Sequence, residues 1–303
     1  MTPAMAEGYA PFGNYQTWYG VVGNQDPPGP PGPAPLLILH GGPGGTHDYL
    51  LLLADLTKGG RPVIFYHQLG SGKSTHLPNQ EPEFWAPTAF AAQLVALIDH
   101  LGIADGYHLL GQSWGGFLAL EHSITQPAGL LSLVLSNTAA SCCAFGQEAA
   151  RLRRGLPPAV QETLTRHEVA GTSDSPEYAA ACEVFYRRHL CRLRPWPPEV
   201  IRGSQLMAQD PTVHHVMNGP SEFHVIGSIR DWEAESRLHR ILVSALVISG
   251  RHDEATPKLQ AALVRGIGES HQVVLESSSH MSFWEERATY MNEVCRWLDA
   301  HDR

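Results

Sequence analysis

The sequence predicts an α/β protein in which a mostly parallel sheet is flanked by helices and a helical cap is inserted between two strands. Short apolar runs without alternation, typical of strands buried on both faces, recur between stretches of helical spacing up to about residue 137. From about 142 to 236 the chain is more polar and helical in pattern, and the apolar runs resume at 241. We therefore divide the chain into a first core segment, 1–140, a cap, 141–238, and a second core segment, 239–303.

Composition limits the function classes. The 303 residues are 43% hydrophobic, which is enough for a large core and an inserted subdomain. A net charge of −9 with 21 basic residues argues against nucleic acid as a partner, because phosphate binding needs a cationic surface. The five cysteines lack zinc or disulfide spacing, and we find neither a signal-peptide pattern nor a run long enough for a bilayer. We therefore expect a cytoplasmic protein with reduced thiols and no membrane contact.

The stretch 107–120 joins an apolar run, a G-x-S-x-G pentad and a second apolar run with helical spacing. This order predicts a strand, a sharp turn and a helix, with Ser113 exposed on the turn as a nucleophile. The turn would also place the backbone N–H of Trp114 at a helix N-terminus, where it can stabilise an oxyanion. The alternative is a pentad that arises by chance in a chain with 29 glycines.

The segments before this turn predict the start of the sheet. Residues 14–22, rich in aromatic and β-branched side chains, and the proline and glycine tract 27–35 indicate an N-terminal hairpin. Residues 36–39 predict a buried strand that ends in a glycine-rich loop, 40–45. Such a loop can bring a backbone N–H, here that of Gly42, close to a reacting oxygen, and the alternative is a plain tight turn.

The remaining pattern is that of alternating strands and helices. Residues 70–75 look like the end of a phosphate-binding loop, but His67 stands where that motif needs a glycine, and Pro78 and Pro82 interrupt the helix that should follow. A nucleotide site is therefore not expected. We predict helices at 49–56, at 90–101 with Gly102 as its C-cap, from 257 onward and at 284–298, and strands at 62–66, 130–135, 241–249 and 271–275.

A serine is not nucleophilic at neutral pH without a base and a third group that orients the base. Asp253 comes directly after the run 241–249, and His280 lies in the loop between the last predicted strand and the terminal helix. The carboxyl ends of parallel strands meet at one edge of a sheet, so the sequence predicts a triad of Ser113, Asp253 and His280. There is no H-E-x-x-H motif or other ligand spacing, and we expect no metal.

At this point the chain resembles the proline iminopeptidase family of α/β hydrolases over nearly its whole length. The shared motifs are H-G-G-P-G at 40–44, Q-L-G-S-G-K-S at 68–74, G-Q-S-W-G-G at 111–116, N-G-P-S-E-F at 218–223 and G-R-H-D-E-A-T-P at 250–257. The cap stretch 185–197, F-Y-R-R-H-L-C-R-L-R-P-W-P, is similar to the amino-acid amidase and proline amide hydrolase branch. One departure is His67, where the family usually has Asp.

The resemblance implies roles for two further carboxylates. Glu222 and Glu254 are similar to the family's pair that binds the free amino group of the substrate. An ammonium group that loses its hydration needs acidic partners, which makes this role chemically reasonable. The alternatives are a solvated surface charge for Glu254 and a salt bridge within the cap for Glu222.

The resemblance and the predicted triad together imply a serine hydrolase that needs no cofactor. It would cleave the amide bond after a free N-terminal amino acid, preferably proline, in a small peptide or an amino-acid amide. One alternative is an esterase of the same fold, acting on small esters. Another is a catalytically silent binding module, although no member of the triad is missing. The choice between peptide and simple amide, the side-chain preference and the oligomeric state stay open.

Overall fold

The computed structural model describes residues 4–23 and 32–302. They form an eight-stranded sheet of order β1-β2-β4-β3-β5-β6-β7-β8. The pairs β1–β2 and β2–β4 are antiparallel, and all other neighbours are parallel. The strands are β1 (Met5–Phe12), β2 (Tyr15–Val22), β3 (Leu36–Leu39), β4 (Val63–Tyr66), β5 (Tyr107–Gln112), β6 (Leu130–Ser136), β7 (Ala245–Gly250) and β8 (Ser270–Leu275).

Helices cover both faces of the sheet, which explains why its central strands carry apolar residues at every position. All residues of β3, β4, β5 and β7 are buried. Side chains alternate between two cores, with Leu37 and Leu109 on one face and Ile38 and Leu110 on the other. The predicted α/β-hydrolase architecture, a mostly parallel sheet between helical layers, is confirmed.

The helices fall into two groups, those that cover the sheet and those between β6 and β7. The α-helices are α1 (Pro87–His100), α2 (Trp114–Ile124), α3 (Cys142–Arg153), α4 (Pro158–Ala170), α5 (Pro176–His189), α6 (Pro198–Gln209), α7 (Thr212–Met217), α8 (Pro257–Gly266), α9 (Ser282–Glu285) and α10 (Arg287–Ala300). The 3₁₀ helices are Asp48–Thr57, Pro82–Phe84 and Glu235–Arg240. Within the described residues, every helix is too short or too polar to cross a membrane.

The helices α3 to α7 occupy the segment in which the sequence lacks strand patterns. They have a small core of their own, in which Tyr178 and Phe185 of α5 pack with Leu164 of α4 and with Phe223. An insertion with its own aromatic core is a folded unit rather than a loose loop. The division of the chain at 140 and 238 stays a prediction.

The N-terminal hairpin exists, and the stretch predicted at 14–22 forms its second strand, β2. β2 pairs with the preceding strand β1, and the chain turns at Gly13, whose φ is +57°. A glycine in the left-handed region suits this tight connection. Residues 24–31 of the proline and glycine tract lie outside the described residues.

Two predicted boundaries in the second half of the chain are wrong. The run 241–249 forms a strand only from Ala245, because the ladder with β6 begins at the pair Leu133 and Ala245. The predicted helix 284–298 is two helices, α9 and α10, which meet at Glu286. The Glu286 carboxylate accepts hydrogen bonds from the N–H of Ser277 and the hydroxyl of Ser278. Glu286 therefore lies at the break between the two helices and holds the loop that follows β8.

Close backbone packing fixes the turn between β5 and α2. A Cβ atom on Gly115 would lie 2.1 Å from the carbonyl oxygen of Leu39, and one on Gly111 would lie 2.4 Å from the carbonyl oxygen of Gly115. Real Cβ atoms do not approach backbone so closely, so these positions require glycine. The helix can therefore start directly on top of strands β3 and β5.

We predict that Gly115→Ala lowers the free energy of unfolding by about 1–3 kcal/mol, because its Cβ forces β3 and α2 apart. The matched control is Gly146→Ala in α3, where an added Cβ meets nothing within 4 Å. That variant should be neutral or more stable by up to about 1 kcal/mol, since alanine is the better helix former. The measurement is the urea unfolding curve of each variant. Equal stability of both variants would contradict the account of this turn.

Candidate active site

Ser113 lies on the sharp turn between β5 and α2, as the sequence predicts. Its backbone has φ +55° and ψ −124°, in the region that non-glycine residues avoid. Hydrogen bonds hold this conformation: the Ser113 N–H donates to Ser136 O at 3.0 Å, and the Ser113 carbonyl accepts from the Thr138 hydroxyl at 2.7 Å. The hydroxyl of Ser113 lines two cavities and has no hydrogen-bond partner within the described residues.

Asp253 and His280 lie together at the same edge of the sheet, after β7 and β8. The Nδ1 of His280 lies 2.7 Å from Oδ1 of Asp253, and both residues are buried. An ionised carboxylate only accepts hydrogen bonds, so Nδ1 donates to Asp253, and in the neutral imidazole Nε2 is the nitrogen that can act as a base. The same Asp253 oxygen accepts from the backbone N–H of Ala255 at 2.9 Å. His280 lines the same two cavities as Ser113.

Asn137 is a further residue of this network that the sequence reasoning missed. Its side-chain amide donates to Oδ2 of Asp253 at 2.7 Å and to the carbonyl of Ser279 at 3.2 Å. Its side-chain oxygen accepts from the hydroxyls of Ser136 and Ser282. Asn137 is fully buried and has φ +51°. A signal was present in the sequence, since Asn137 follows the buried strand β6 directly and so lies at the edge where the predicted triad meets.

The titration of His280 is set by the charges around it. Burial alone would lower the pKa of the imidazole, but the Asp253 carboxylate, its hydrogen bond and the nearby Glu254 and Glu222 raise it to about 9. Burial also raises the pKa of the Glu254 carboxyl to about 8, and the negative charges of Glu222 and Asp253 act in the same direction. The imidazole and the Glu254 carboxylate are close enough to titrate as a pair, with Nε2 3.9 Å from Oε1.

Glu222 and Glu254, for which the resemblance predicts an amine-binding role, both line a cavity beside Ser113. Glu254 is 1% exposed, and its Oε2 atom is buried without a hydrogen-bond partner. Glu222 lies in the segment after α7, and within the described chain its carboxylate forms neither a hydrogen bond nor a salt bridge. Both side chains line a cavity that also contains Ser113 and His280. Within the described residues, neither carboxylate pairs with a lysine or arginine, and the one cationic group near Glu254 is the His280 imidazole.

Gly42 and Trp114 line this cavity together with Ser113. Neither backbone N–H donates a hydrogen bond within residues 4–23 and 32–302. Gly42 has φ +119°, and a Cβ there would lie 2.6 Å from the backbone nitrogen of Gly45, so the tight loop depends on glycine. Two free N–H groups beside a serine hydroxyl are what an oxyanion requires.

Buried side chains hold the glycine-rich loop in place. The Nε2 atom of His40 accepts from the N–H of Gln68 at 3.1 Å, and the Gln68 amide donates back to the carbonyl of His40. The indole N–H of Trp114 donates to the Gln68 side chain at 2.8 Å, and the N–H of Gly41 donates to the hydroxyl of Tyr49. The loop and the start of α2 are thus linked through Gln68, which fixes the two free N–H groups relative to each other.

His67, the residue that departs from the family pattern, lies in a separate buried cluster. Its Nδ1 accepts from the N–H of Lys73 at 2.8 Å, its Nε2 lies 2.7 Å from Nδ1 of His47, and its ring stacks on Trp18. Burial, together with the neighbouring histidines, holds the pKa of His67 well below its usual range. The ring is therefore neutral, and it replaces the carboxylate of the family with a hydrogen-bonded pair of imidazoles.

Potential ligand atoms of His47, Asp48 and His67 lie within 4.8 Å of one another. Each of them already has a partner, because the two imidazoles face each other and the Asp48 carboxylate accepts from Thr46 and pairs with Arg202 at 2.8 Å. A divalent cation would have to displace the Arg202 guanidinium from Asp48. The expectation that the protein uses no metal stays a prediction.

Comparisons with known proteins agree with this geometry. The model of the α/β hydrolase fold family matches residues 34–287. The proline iminopeptidase of Lactobacillus helveticus is 35% identical over 299 residues, covering 98% of both chains. The chain belongs to the proline iminopeptidase family. Among solved structures, the proline iminopeptidase of Mycobacterium smegmatis has 41% identity and a TM-score of 0.90, and VinJ has 47% identity and a TM-score of 0.94; each match covers 98% of this chain and 99% of the other. The recognition of this family from the sequence motifs is therefore confirmed.

The pKa of His280 provides a test of the geometry that needs no substrate. Glu254→Gln removes one negative charge that raises this pKa, so the midpoint of the His280 titration should move to lower pH. The control is Glu276→Gln, which removes an exposed carboxylate whose partner is Arg251. The measurement is an NMR titration of the imidazole signals, with His280→Gln to assign the resonance. A midpoint that stays or rises in the Glu254 variant would contradict the arrangement.

Proposed function

We propose that this protein is a serine hydrolase that removes an N-terminal amino acid with a free amino group, preferably proline, from small peptides or amino-acid amides. The observation that carries the proposal is the pair of carboxylates, Glu222 and Glu254, which line one cavity with Ser113 and pair with no lysine or arginine within the described residues. Its relatives from Lactobacillus helveticus and Mycobacterium smegmatis are proline iminopeptidases, which supports the same activity here.

In the first step, the Ser113 hydroxyl attacks the substrate carbonyl while Nε2 of His280 takes its proton. The tetrahedral intermediate then collapses: the C–N bond breaks, the acyl ester on Ser113 forms, and His280 returns the proton to the leaving amine. Water attacks the ester with His280 again as base, which releases the amino acid and restores Ser113. Asp253 accepts a hydrogen bond from Nδ1 at 2.7 Å and so holds the imidazole in the required tautomer.

The developing oxyanion is bound by the N–H groups of Gly42 and Trp114. These two groups have no acceptor in the described part of the free protein, so they need no rearrangement before they bind the intermediate. The strained φ of Ser113 supports this step because it aims the hydroxyl away from the sheet and leaves the next N–H free at the start of α2.

The substrate ammonium would bind between Glu222 and Glu254 and supply the cation that they lack. Neutralising these charges also removes two of the interactions that raise the pKa of His280, so substrate binding favours the neutral imidazole that catalysis needs. Phe117, Phe145 and Ile229 are among the apolar residues that line this cavity, and they suit a small ring such as that of proline.

The inserted segment 141–238 contributes Glu222, which follows α7, and part of the cavity walls, so we assign this cap to substrate selection. The cap would exclude long folded substrates and so restrict the enzyme to small molecules. A cytoplasmic location with reduced thiols is consistent with the five cysteines, all of which are free.

The proposal is tested with a prolyl aryl amide and its N-acetylated form. Acetylation removes the ammonium, so cleavage of the acetylated substrate should fall to the level of Ser113→Ala. Glu222→Gln should lower kcat/KM for the free-amine substrate by roughly 10- to 100-fold, the value of one charge-assisted hydrogen bond. The control Glu276→Gln, on the surface, should leave kcat/KM for the free-amine substrate unchanged. An acetylated substrate that is cleaved as fast as the free amine would indicate an esterase-like site instead.

A further inference from the structure

Two cavities meet at the Ser113 hydroxyl, and they differ in chemistry. They share Gly42, Ser113, Glu222 and His280, but only the smaller one, about 420 Å³ of empty space, contains Glu254. The other holds about 510 Å³, including space open to solvent. If the smaller cavity takes the aminoacyl part of the substrate, the larger one lies on the side of the leaving amine. We call the larger one the leaving-group cavity.

Apolar side chains from the cap and the core form much of the wall of the leaving-group cavity, beside the polar Thr46, Gln112 and Ser204. Val200 and Met207 lie on α6, and Met281 follows His280 and donates its N–H to the carbonyl of Leu190 at 2.9 Å. Gly203 of α6 leaves space because it has no side chain where the helix crosses Tyr49. Such walls stabilise a hydrophobic group by excluding water from it.

The charged side chains that line the leaving-group cavity are Glu222 and the His280 imidazole. No lysine or arginine lines it within the described residues. The nearest arginine along α6, Arg202, pairs with Asp48 and lines a different cavity. His280 is held by Asp253, and Glu222 adds a negative charge where the two cavities join. The C-terminal carboxylate of a leaving amino acid would therefore meet no lysine or arginine there and would lie close to the like charge of Glu222.

We propose that the leaving-group cavity selects a neutral, apolar amine and discriminates against a leaving amino acid with a free carboxylate. This inference depends on the proposed function, because it assigns the leaving side of the same site. It answers the question that the sequence leaves open: the preferred substrate is an aminoacyl amide of an apolar amine, and a simple dipeptide is a poor one.

The test compares prolyl-leucine with prolyl-leucinamide, which differ only in the carboxylate, and with prolyl-butylamide. We expect kcat/KM for the two neutral substrates to exceed that for prolyl-leucine by at least about tenfold, the equivalent of 1.4 kcal/mol. Equal values for prolyl-leucine and prolyl-leucinamide would overturn the inference and leave the proposed function intact. If the N-acetylated forms are cleaved equally well, the proposed function itself is wrong.

A charge introduced into the cavity gives a second readout. Met207→Lys places a cation in the cavity wall. It should lower the ratio of kcat/KM for prolyl-leucinamide to kcat/KM for prolyl-leucine at least severalfold. Ile201→Lys, on the same helix but 41% exposed and outside the cavity, should leave the ratio unchanged. An unchanged ratio in a folded Met207 variant would count against the inference. If that variant does not fold, the kcat/KM values of the wild-type protein for prolyl-leucine and prolyl-leucinamide decide.

Discussion

The left-handed backbone of Ser113 is the constraint on which the rest of the site depends. Strand β5 must stop and helix α2 must start within one residue, and this is possible only because glycines at 111 and 115 let the helix lie directly on the backbone of β3 and β5. The neighbouring strands complete the arrangement. Asn137 follows β6, Asp253 follows β7 and His280 follows β8, so the parallel sheet brings residues from distant parts of the chain to one edge.

The site contains more negative charge than it can stabilise alone. Asp253 is satisfied by His280, Asn137 and the N–H of Ala255, whereas Glu254 is buried with one oxygen unpaired and a raised carboxyl pKa. A buried carboxylate with an oxygen that forms no hydrogen bond destabilises the free protein. A substrate ammonium is the group that relieves this cost, so the unfavourable interaction in the free state becomes binding energy when the substrate arrives.

Much of the fold could be predicted because the buried strands are continuous apolar runs. The runs at 36–39, 107–112 and 130–135 correspond to β3, β5 and β6, since a strand covered on both faces leaves a pattern that is hard to mistake. The errors arose where tertiary contacts override local pattern. Glu286 leaves the helical backbone region, with φ −124° and ψ 53°, while its carboxylate binds the loop after β8, and the strand at 241–249 begins only at Ala245, where its ladder with β6 starts at Leu133.

The site could be predicted less completely than the fold. Ser113, Asp253 and His280 could be placed by chain order after strands, and the structure brings Asp253 and His280 into contact beside Ser113. Asn137 escaped because its role is set by a hydrogen bond across two strands, which no local motif records. The leaving-group cavity could not be anticipated either, because its walls come from α6 and from the segments around Leu190 and Met281, which meet only in the folded chain.

The central claim is that Ser113 is a nucleophile beside an anionic amine pocket, and labelling by a fluorophosphonate tests it most directly. The account predicts a single adduct on the peptide that contains Ser113, labelling that slows strongly in His280→Ala, and protection by L-proline but not by N-acetyl-L-proline. A folded wild-type protein that takes up no label, or that is protected equally by both ligands, would contradict it.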